Sequence, residues 1–492
     1  MTNPKDDMPL LAPPPLAYGR LLVIAMTAGL VAIAGMSICT GVHWFGLAST
    51  LAGASGVVLV LLVAMMRGGA ALAAPSSVQF LAILALVAGG VRLAAVLSLP
   101  YVPHADFLVY HQSALTLAQT SELHIPAGGS FRAFLPPGQI FAMSLMYRLF
   151  DNGVLAVQML NVLLGTLTVV GIWYLGRSMF NERVGRVAAL LAALLPSTVF
   201  ATMLLGAEVH QTFWLVAALC LYVAGVERRS LLLAALAGGL CLGVGALVRP
   251  TFVLLPVALG LHMLIAWPRG QKLRAILATL LLGVGIACAV LPWSYRNYQV
   301  LGGWMMISSN GGGNLYSANN CQAQGSYTDA VCRELFAEFP GDDLGYDRAG
   351  FARAKAWMKA NPGRVAQLSA WRFVLLWWTD KEIAWWATQD FLDSRPDLDI
   401  GVGWRRLAAG GSNGYYWALA LAGVVGMLRW RRVLSRQRLW MAIPVLTGYF
   451  TVLHMLFEAQ GKYHYSLVGL FTVFAALAVT MPEKQTARQL GD

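Results

Sequence analysis

The stretch VQFLAILALVAGGVRLAAVLSLPYVPHADF, residues 78–107, decides the fold class. The run from Val78 to Leu99 is apolar and long enough to cross a bilayer. Pro100 and Pro103 follow it, and then Asp106. The carboxylate is thus expected at a membrane surface, where a charge is tolerated and a catalytic base can meet both lipid and water. An aspartate at the exit of a span also has a plainer role, the solvation of a loop. The rest of the chain has to choose between the two.

Composition agrees with a membrane-embedded chain. Of 492 residues, 58% are hydrophobic and 12% charged, with a mean hydropathy of +0.62. Soluble domains carry about a quarter charged residues. Spans are expected at about 21–40, 44–65, 78–99, 153–175, 187–204, 210–226, 231–248, 251–267, 275–292, 413–430, 439–457 and 464–481. That makes an all-α polytopic bundle of about twelve transmembrane helices. The polar Met1–Arg20 segment has no signal-peptide layout, so the first apolar run is expected to stay as a helix.

The net charge of +12 is distributed by topology. With the N-terminus inside, Arg67, Arg177, Arg183, Arg186, Arg228, Arg229, Arg269, Lys272, Arg274, Arg429, Arg431, Arg432, Arg436, Arg438, Lys484 and Arg488 all fall in cytoplasmic connections. Both termini are then cytoplasmic. A nucleic-acid partner is excluded, because the basic residues cluster on no single exposed face. Four of the six cysteines lie in spans, while Cys321 and Cys332 lie together in an outside loop and are candidates for a bridge. No Cys/His spacing matches a zinc site.

Four segments follow. Residues 1–77 hold a tail and two appended spans. Residues 78–292 form the core with its first outside loop, Pro100–Asn152. Residues 293–412 form a large outside loop region, and residues 413–492 hold three final spans and a tail. In the large loop, Trp371, Trp377, Trp378, Trp385 and Trp386 flank Asp380, Lys381 and Glu382. Indole rings favour the headgroup level, so this stretch is expected to be one interfacial helix.

Polar candidates gather on the outer face. The first loop offers Asp106, Tyr110, His111 and Arg132, then a Pro136–Pro137–Gly138 break and an apolar segment too short to span. A tight turn carries Glu208 and His210, costly at a bilayer edge unless employed or snorkelling to water. Arg249 interrupts an apolar stretch at an outer end, against the charge bias. Its fork suits a phosphate, or an ion pair with Glu208. Trp293–Tyr298 carries Arg296, and Ser308–Tyr316 carries Asn310, three glycines and Asn314. The glycines allow close approach of a ligand, or form a turn. The last outside turn, Phe457–Tyr465, adds Lys462 and His464, as donors or as anchors of the final span.

In order and placement these stretches resemble the GT-C glycosyltransferases, integral-membrane enzymes that use lipid-phosphate-linked sugars. The branch of protein O-mannosyltransferases and lipid A aminoarabinose transferases is the most similar. The stretches that carry the resemblance are Asp106-x-x-x-Tyr110, Pro136–Pro137–Gly138, Leu163–Leu164–Gly165 with Tyr174–Leu175–Gly176–Arg177, Arg183-x-x-Arg186-x-Ala188–Ala189 and Leu194–Leu195–Pro196. Glu208, Leu247–Val248–Arg249–Pro250, Trp293-x-x-Arg296–Asn297, Ser308–Tyr316 and Lys462–Tyr463–His464 complete it. The resemblance implies Asp106 as catalytic base. It places Arg249, Lys462 and His464 near the donor phosphate, with Arg132 as a looser candidate. Glu208, His210, Tyr110, Arg296, Asn310 and Asn314 would serve substrate binding or a second acid.

It also implies a polyprenyl-phosphate sugar donor, a glycan, lipid or protein acceptor, a site on the periplasmic or extracellular face of the plasma membrane, and inversion at the anomeric carbon. Two departures stand out. His104–Ala105–Asp106 offers one acid where many relatives have two, which leaves a divalent cation open. Lys462 stands where many have arginine. Sequence leaves a transporter or lipid flippase, or a non-catalytic subunit of a polysaccharide assembly complex, as the alternatives. A transporter would call for paired charges deep in broken spans, whereas the polar residues here gather at one face.

Overall fold

Ser76 starts the first described span. Its hydroxyl accepts the Gln79 N–H while the Gln79 side chain accepts the Ser76 N–H, a capping box that fixes helix α1, Ser77–Ser98. In a computed structural model the described residues are 51–52, 54–58, 61, 75–99, 101–126, 130–150, 153–389, 400–434 and 438–480. The expected first span, at 21–40, lies outside them, and the second is described at a few positions only.

The loop after α1 folds back on the bundle. It forms α2 (Ala105–Thr120), a two-stranded antiparallel ribbon of β1 (Ile125–Pro126) and β2 (Ser130–Phe131), and α3 (Pro137–Leu149). Long spans α4 (Gly153–Met179), α7 (Glu208–Glu227), α8 (Leu231–Val248) and α10 (Lys272–Leu301) follow. Between α4 and α7 lie α5 (Glu182–Ala193) and α6 (Pro196–Phe200), bent by 59°. Pro196 explains the break, since it has no N–H for the preceding turn. The loosened carbonyls find other donors. The Thr198 hydroxyl donates to Leu195 O at 2.9 Å, and buried Arg92 of α1 donates to Ala193 O at 3.2 Å and Thr198 Oγ1 at 3.1 Å. Spans α8 and α10 touch through small residues. A Cβ on Gly239 would stand 2.4 Å from Leu282 O, and one on Gly285 2.5 Å from Leu236 O.

Further helices include α9 (Leu255–Ala266), α11 (Asn310–Ala318), α12 (Asp329–Glu338), α13 (Asp343–Ala360), α14 (Pro362–Trp377), α15 (Glu382–Ala387), α16 (Ile400–Arg429), α17 (Ala442–Leu456) and α18 (Tyr465–Ala476). Fully buried Arg372 of α14 ties three segments together. Its guanidinium donates to the Ala318, Gly325, Met455 and Leu456 carbonyls and to Asn319 Oδ1.

Among the described residues, six helices are long and apolar enough to cross a membrane: α1, α4, α7, α8, α10 and the segment Leu439–Leu456. The bent α5–α6 pair makes a seventh. The all-helical membrane class stands; the count of twelve is not tested, because the spans expected at 21–40 and over most of 44–65 lie outside the described residues. The apolar helix expected at 251–267 is short, and α18 occupies Tyr465–Ala476 where 464–481 was expected. At 1.5 Å per residue such helices fall short of a ~30 Å core. The tryptophan-rich stretch is two helices, not one. It breaks between Trp377 and Glu382 because Asp380 turns inward and is 2% exposed. Cys321 and Cys332, candidates for a bridge, are free thiols here, one exposed and one buried.

Candidate active site

Asp106 lies in the first turn of α2, where a carboxylate complements the helix N-terminus. Ala105, just before it, takes φ +44°, a left-handed conformation that an alanine adopts at a cost. The Asp106 carboxylate is 79% exposed, and Lys462 Nζ stands 3.8 Å from Oδ2. The Lys462 side chain is only 14% exposed. Its ammonium lies over the Trp386 ring at 5.0 Å and the Tyr463 ring at 5.4 Å. The turn that bears it, Gly461–His464, is held from α15. Glu382 accepts the Gly461 N–H at 3.2 Å and the Lys462 N–H at 2.9 Å.

A buried ion pair adjoins this contact. Arg249, the residue that ends α8, donates through Nη2 to Glu208 Oε1 at 2.7 Å. Its guanidinium also faces the Tyr463 ring at 5.4 Å. Gly206 makes room for Glu208. A Cβ there would stand 2.1 Å from Glu208 Oε2 and 2.9 Å from the Phe107 ring. Tyr110 is partly buried, in the field of Arg249, Asp106 and Glu208. Burial raises its phenol above the ordinary range, Arg249 opposes this, and the two carboxylates add to it. Tyr463 donates a short hydrogen bond to buried Glu458. Burial raises the Glu458 carboxyl, while the Tyr463 hydroxyl, Lys462 and Arg249 pull it back.

Thus Asp106, Tyr110, Glu208, Arg249 and Lys462 come together from four distant parts of the chain. His464 does not join their open side. It is fully buried, its Nε2 meets Asp380 Oδ1 at 3.2 Å, and its Nδ1 meets Leu376 O. Its ring stacks between Trp377 and Tyr416. Both ring nitrogens are thus engaged within the protein, away from the Asp106–Lys462 contact. His210 is likewise buried, and its Nε2 has no partner among the described residues.

The other candidates form a second set. Buried Asp343 accepts the Arg132 N–H at 2.8 Å, the Ala133 N–H at 3.2 Å and the Ser309 hydroxyl. Burial raises the Asp343 carboxyl, and those donors partly offset the rise. Arg296 donates to Arg132 O at 2.9 Å and lies over Trp293 at 4.6 Å. Asn310 accepts from Ser308 Oγ at 2.9 Å, and Asn314 lies on the same helix, α11. No hydrogen bond or ion pair joins Arg132, Arg296, Asn310 or Asn314 to Asp106 or Lys462 among the described residues. The glycine run serves packing. A Cβ on Gly312 would stand 2.0 Å from Asp347 O of α13, and one on Gly313 2.4 Å from the Tyr346 hydroxyl.

Sequence reasoning gave no role to Glu382, Trp386, Asp380, Glu458 or Tyr463. Glu382 and Trp386 were visible as an i, i+4 pair inside the tryptophan-rich stretch. Nothing local says that they meet Lys462. Among the described residues no group of three or more His, Cys, Asp or Glu could hold a metal ion. The nearest charge to Asp106 is an ammonium, so this donor set does not fit a divalent cation.

Residues 135–295, well short of half the chain, match the family described as dolichyl-phosphate-mannose-protein mannosyltransferase. The stretch includes Glu208 and Arg249 but neither Asp106 nor Lys462. Among curated proteins none matches. Among solved structures, the archaeal oligosaccharyltransferase AglB from Archaeoglobus fulgidus, in complex with an inhibitory peptide and a dolichol-phosphate, is similar. The likeness has TM-score 0.51 and 15% identity over 82% of this chain and 50% of that one. The Archaeoglobus fulgidus oligosaccharyltransferase tethered with an acceptor peptide gives TM-score 0.51 and 14% identity over 82% and 49%. ArnT from Cupriavidus metallidurans bound to undecaprenyl phosphate gives TM-score 0.39 and 16% identity over 81% and 78%. This chain therefore spans about half the length of the archaeal enzyme. The chain has the GT-C fold, the architecture of integral-membrane glycosyltransferases, with a mannosyltransferase sequence pattern over residues 135–295.

Proposed function

We propose that this chain transfers a sugar from a polyprenyl-phosphate donor to an acceptor on the outer face of the membrane. The carrying observation is the exposed Asp106 carboxylate beside the Lys462 ammonium, with the Arg249–Glu208 pair next to them. The matched family and the ligands named for the similar structures, a dolichol-phosphate and an undecaprenyl phosphate, support a lipid-phosphate donor.

The chemistry balances with these groups alone. Asp106 takes the proton of an acceptor hydroxyl or amine as that atom attacks the anomeric carbon. The bond from that carbon to the phosphate oxygen breaks, and its electron pair leaves with the lipid phosphate. Lys462 and Arg249 meet the charge that develops there. One base and one displacement give inversion. Glu208 orients Arg249, and Tyr110 lines the same place. The alternation of basic residues along the chain supports a site on the periplasmic or extracellular side.

The test is transfer by the purified protein from a radiolabelled polyprenyl-phosphate mannose. Release of polyprenyl phosphate with label on an acceptor, or on water, supports the reading. A protein that leaves the donor intact but moves it between the leaflets of a vesicle is a flippase instead.

A further inference from the structure

One face of α15 points at the reaction centre. Glu382 and Trp386 are four residues apart, so they share that face. The Glu382 carboxylate takes the first two N–H groups of the turn Gly461–His464, which have no partner inside the turn. The Trp386 ring takes the ammonium of the second residue of that turn. The same ring meets Phe107 edge-on at 6.1 Å, and Phe107 is the neighbour of Asp106. Gly461 allows the approach, because a Cβ there would stand 2.3 Å from Thr379 O. Helix α15 is itself fixed. Ile383, Ala384 and Ala387 are buried, and Arg405 of α16 lies 3.6 Å over Trp385.

We propose that Glu382 and Trp386 are positioning residues that hold the Lys462 ammonium beside Asp106. Glu382 sets the backbone from which the lysine starts. Trp386 sets where its charged end stops. Lysine side chains carry large rotamer freedom, and an exposed one would spend little time at a given point. The bracket removes that freedom before the donor arrives, so the charge needs no reorganisation during transfer. The inference rests on Asp106 and Lys462 being the reaction centre.

Two readouts on the full-length protein in detergent test it. The first is acetylation of Lys462 by acetic anhydride across pH, quantified by peptide mass spectrometry. Trp386→Leu should raise Lys462 reactivity about 2- to 30-fold, the range of an ammonium–indole contact. Trp386→Phe should lie between the two. The second is turnover of polyprenyl-phosphate mannose. Trp386→Leu and Glu382→Gln should lower kcat with KM for the donor little changed, and Trp386→Phe should recover most of the loss. Unaltered Lys462 reactivity and unaltered kcat in both Trp386→Leu and Glu382→Gln overturn the proposal. If Glu382→Gln does not accumulate, the Trp386 pair decides. Asp106→Asn and Lys462→Ala run alongside. Wild-type turnover in both dismisses the reaction centre itself, and the labelling data then judge the bracket alone.

Discussion

At the scale of the residue, Asp106→Asn keeps the shape of the side chain and removes the base. It should insert and accumulate normally and lose about 10²- to 10⁴-fold in transfer rate. Full turnover in this variant ends its assignment as base. Arg249 sets up a sharper choice, because Glu208 already engages it. Arg249→Ala leaves a buried carboxylate unpaired, so it should lower both thermal stability and donor binding. Arg249→Ala with Glu208→Gln should regain stability but not donor binding. Recovery of both would make the pair scaffold only. Asp106 stood out in sequence only in company with the other polar residues of the outer face, since an aspartate after a span more often just solvates a loop. The burial of His464 was not legible. It depends on Asp380 and Leu376, more than eighty residues away in sequence, and Lys462–Tyr463–His464 read alone gives three exposed polar groups.

At the scale of the element, α11 is docked by a half-buried acid. Asp347 accepts the Gly312 N–H at 2.7 Å. Burial lifts its carboxyl from 3.8 to about 6, with the N–H opposing and Asp343 adding to the rise. A carboxyl raised by folding stabilises the fold below its unfolded value, and that contribution is lost as pH rises through the folded one. Amides of α11, corrected for intrinsic exchange, should therefore be better protected at pH 4 than at pH 7. Asp347→Asn should flatten that dependence in hydrogen-exchange mass spectrometry. An equal slope in the variant and the wild type would remove Asp347 as its cause. The glycines of α11 read in sequence as a turn or a ligand cradle, and packing uses the missing Cβ as well. Only the position of α13 selects packing.

At the scale of the whole molecule, the alternating basic residues predict both termini in the cytoplasm, with Pro100–Asn152 and Trp293–Ser412 outside. Cysteines placed in those two loops should label with a membrane-impermeant maleimide in intact cells. One placed at position 432 should label only after permeabilisation, and the reverse pattern would turn the molecule over and the site with it. The helical membrane class was plain from apolar run lengths alone. The local shape of the spans was not, because hydropathy does not see a proline bend such as that before Pro196 or the early end of α18. The meeting of α2, α7, α8 and the last turn rests on contacts across more than three hundred residues, which no window along the chain contains.

Arg92 has a consequence for how the chain is made. It sits within α1, and the carbonyl of Ala193 that accepts from it lies 101 residues further on. At about 5–20 residues per second, the ribosome delivers that partner some 5–20 s after Arg92. Through that interval the Arg92 guanidinium has Ala88 O of its own helix but neither of its distant acceptors, and lipid accepts such a charge poorly. The helix should wait beside the translocon until the bent pair emerges, and the two should enter the bilayer together. Nascent chains cut before residue 190 should keep α1 crosslinked to the translocon. Chains that extend well past Thr198 should release it, and Arg92→Leu should release it at either length.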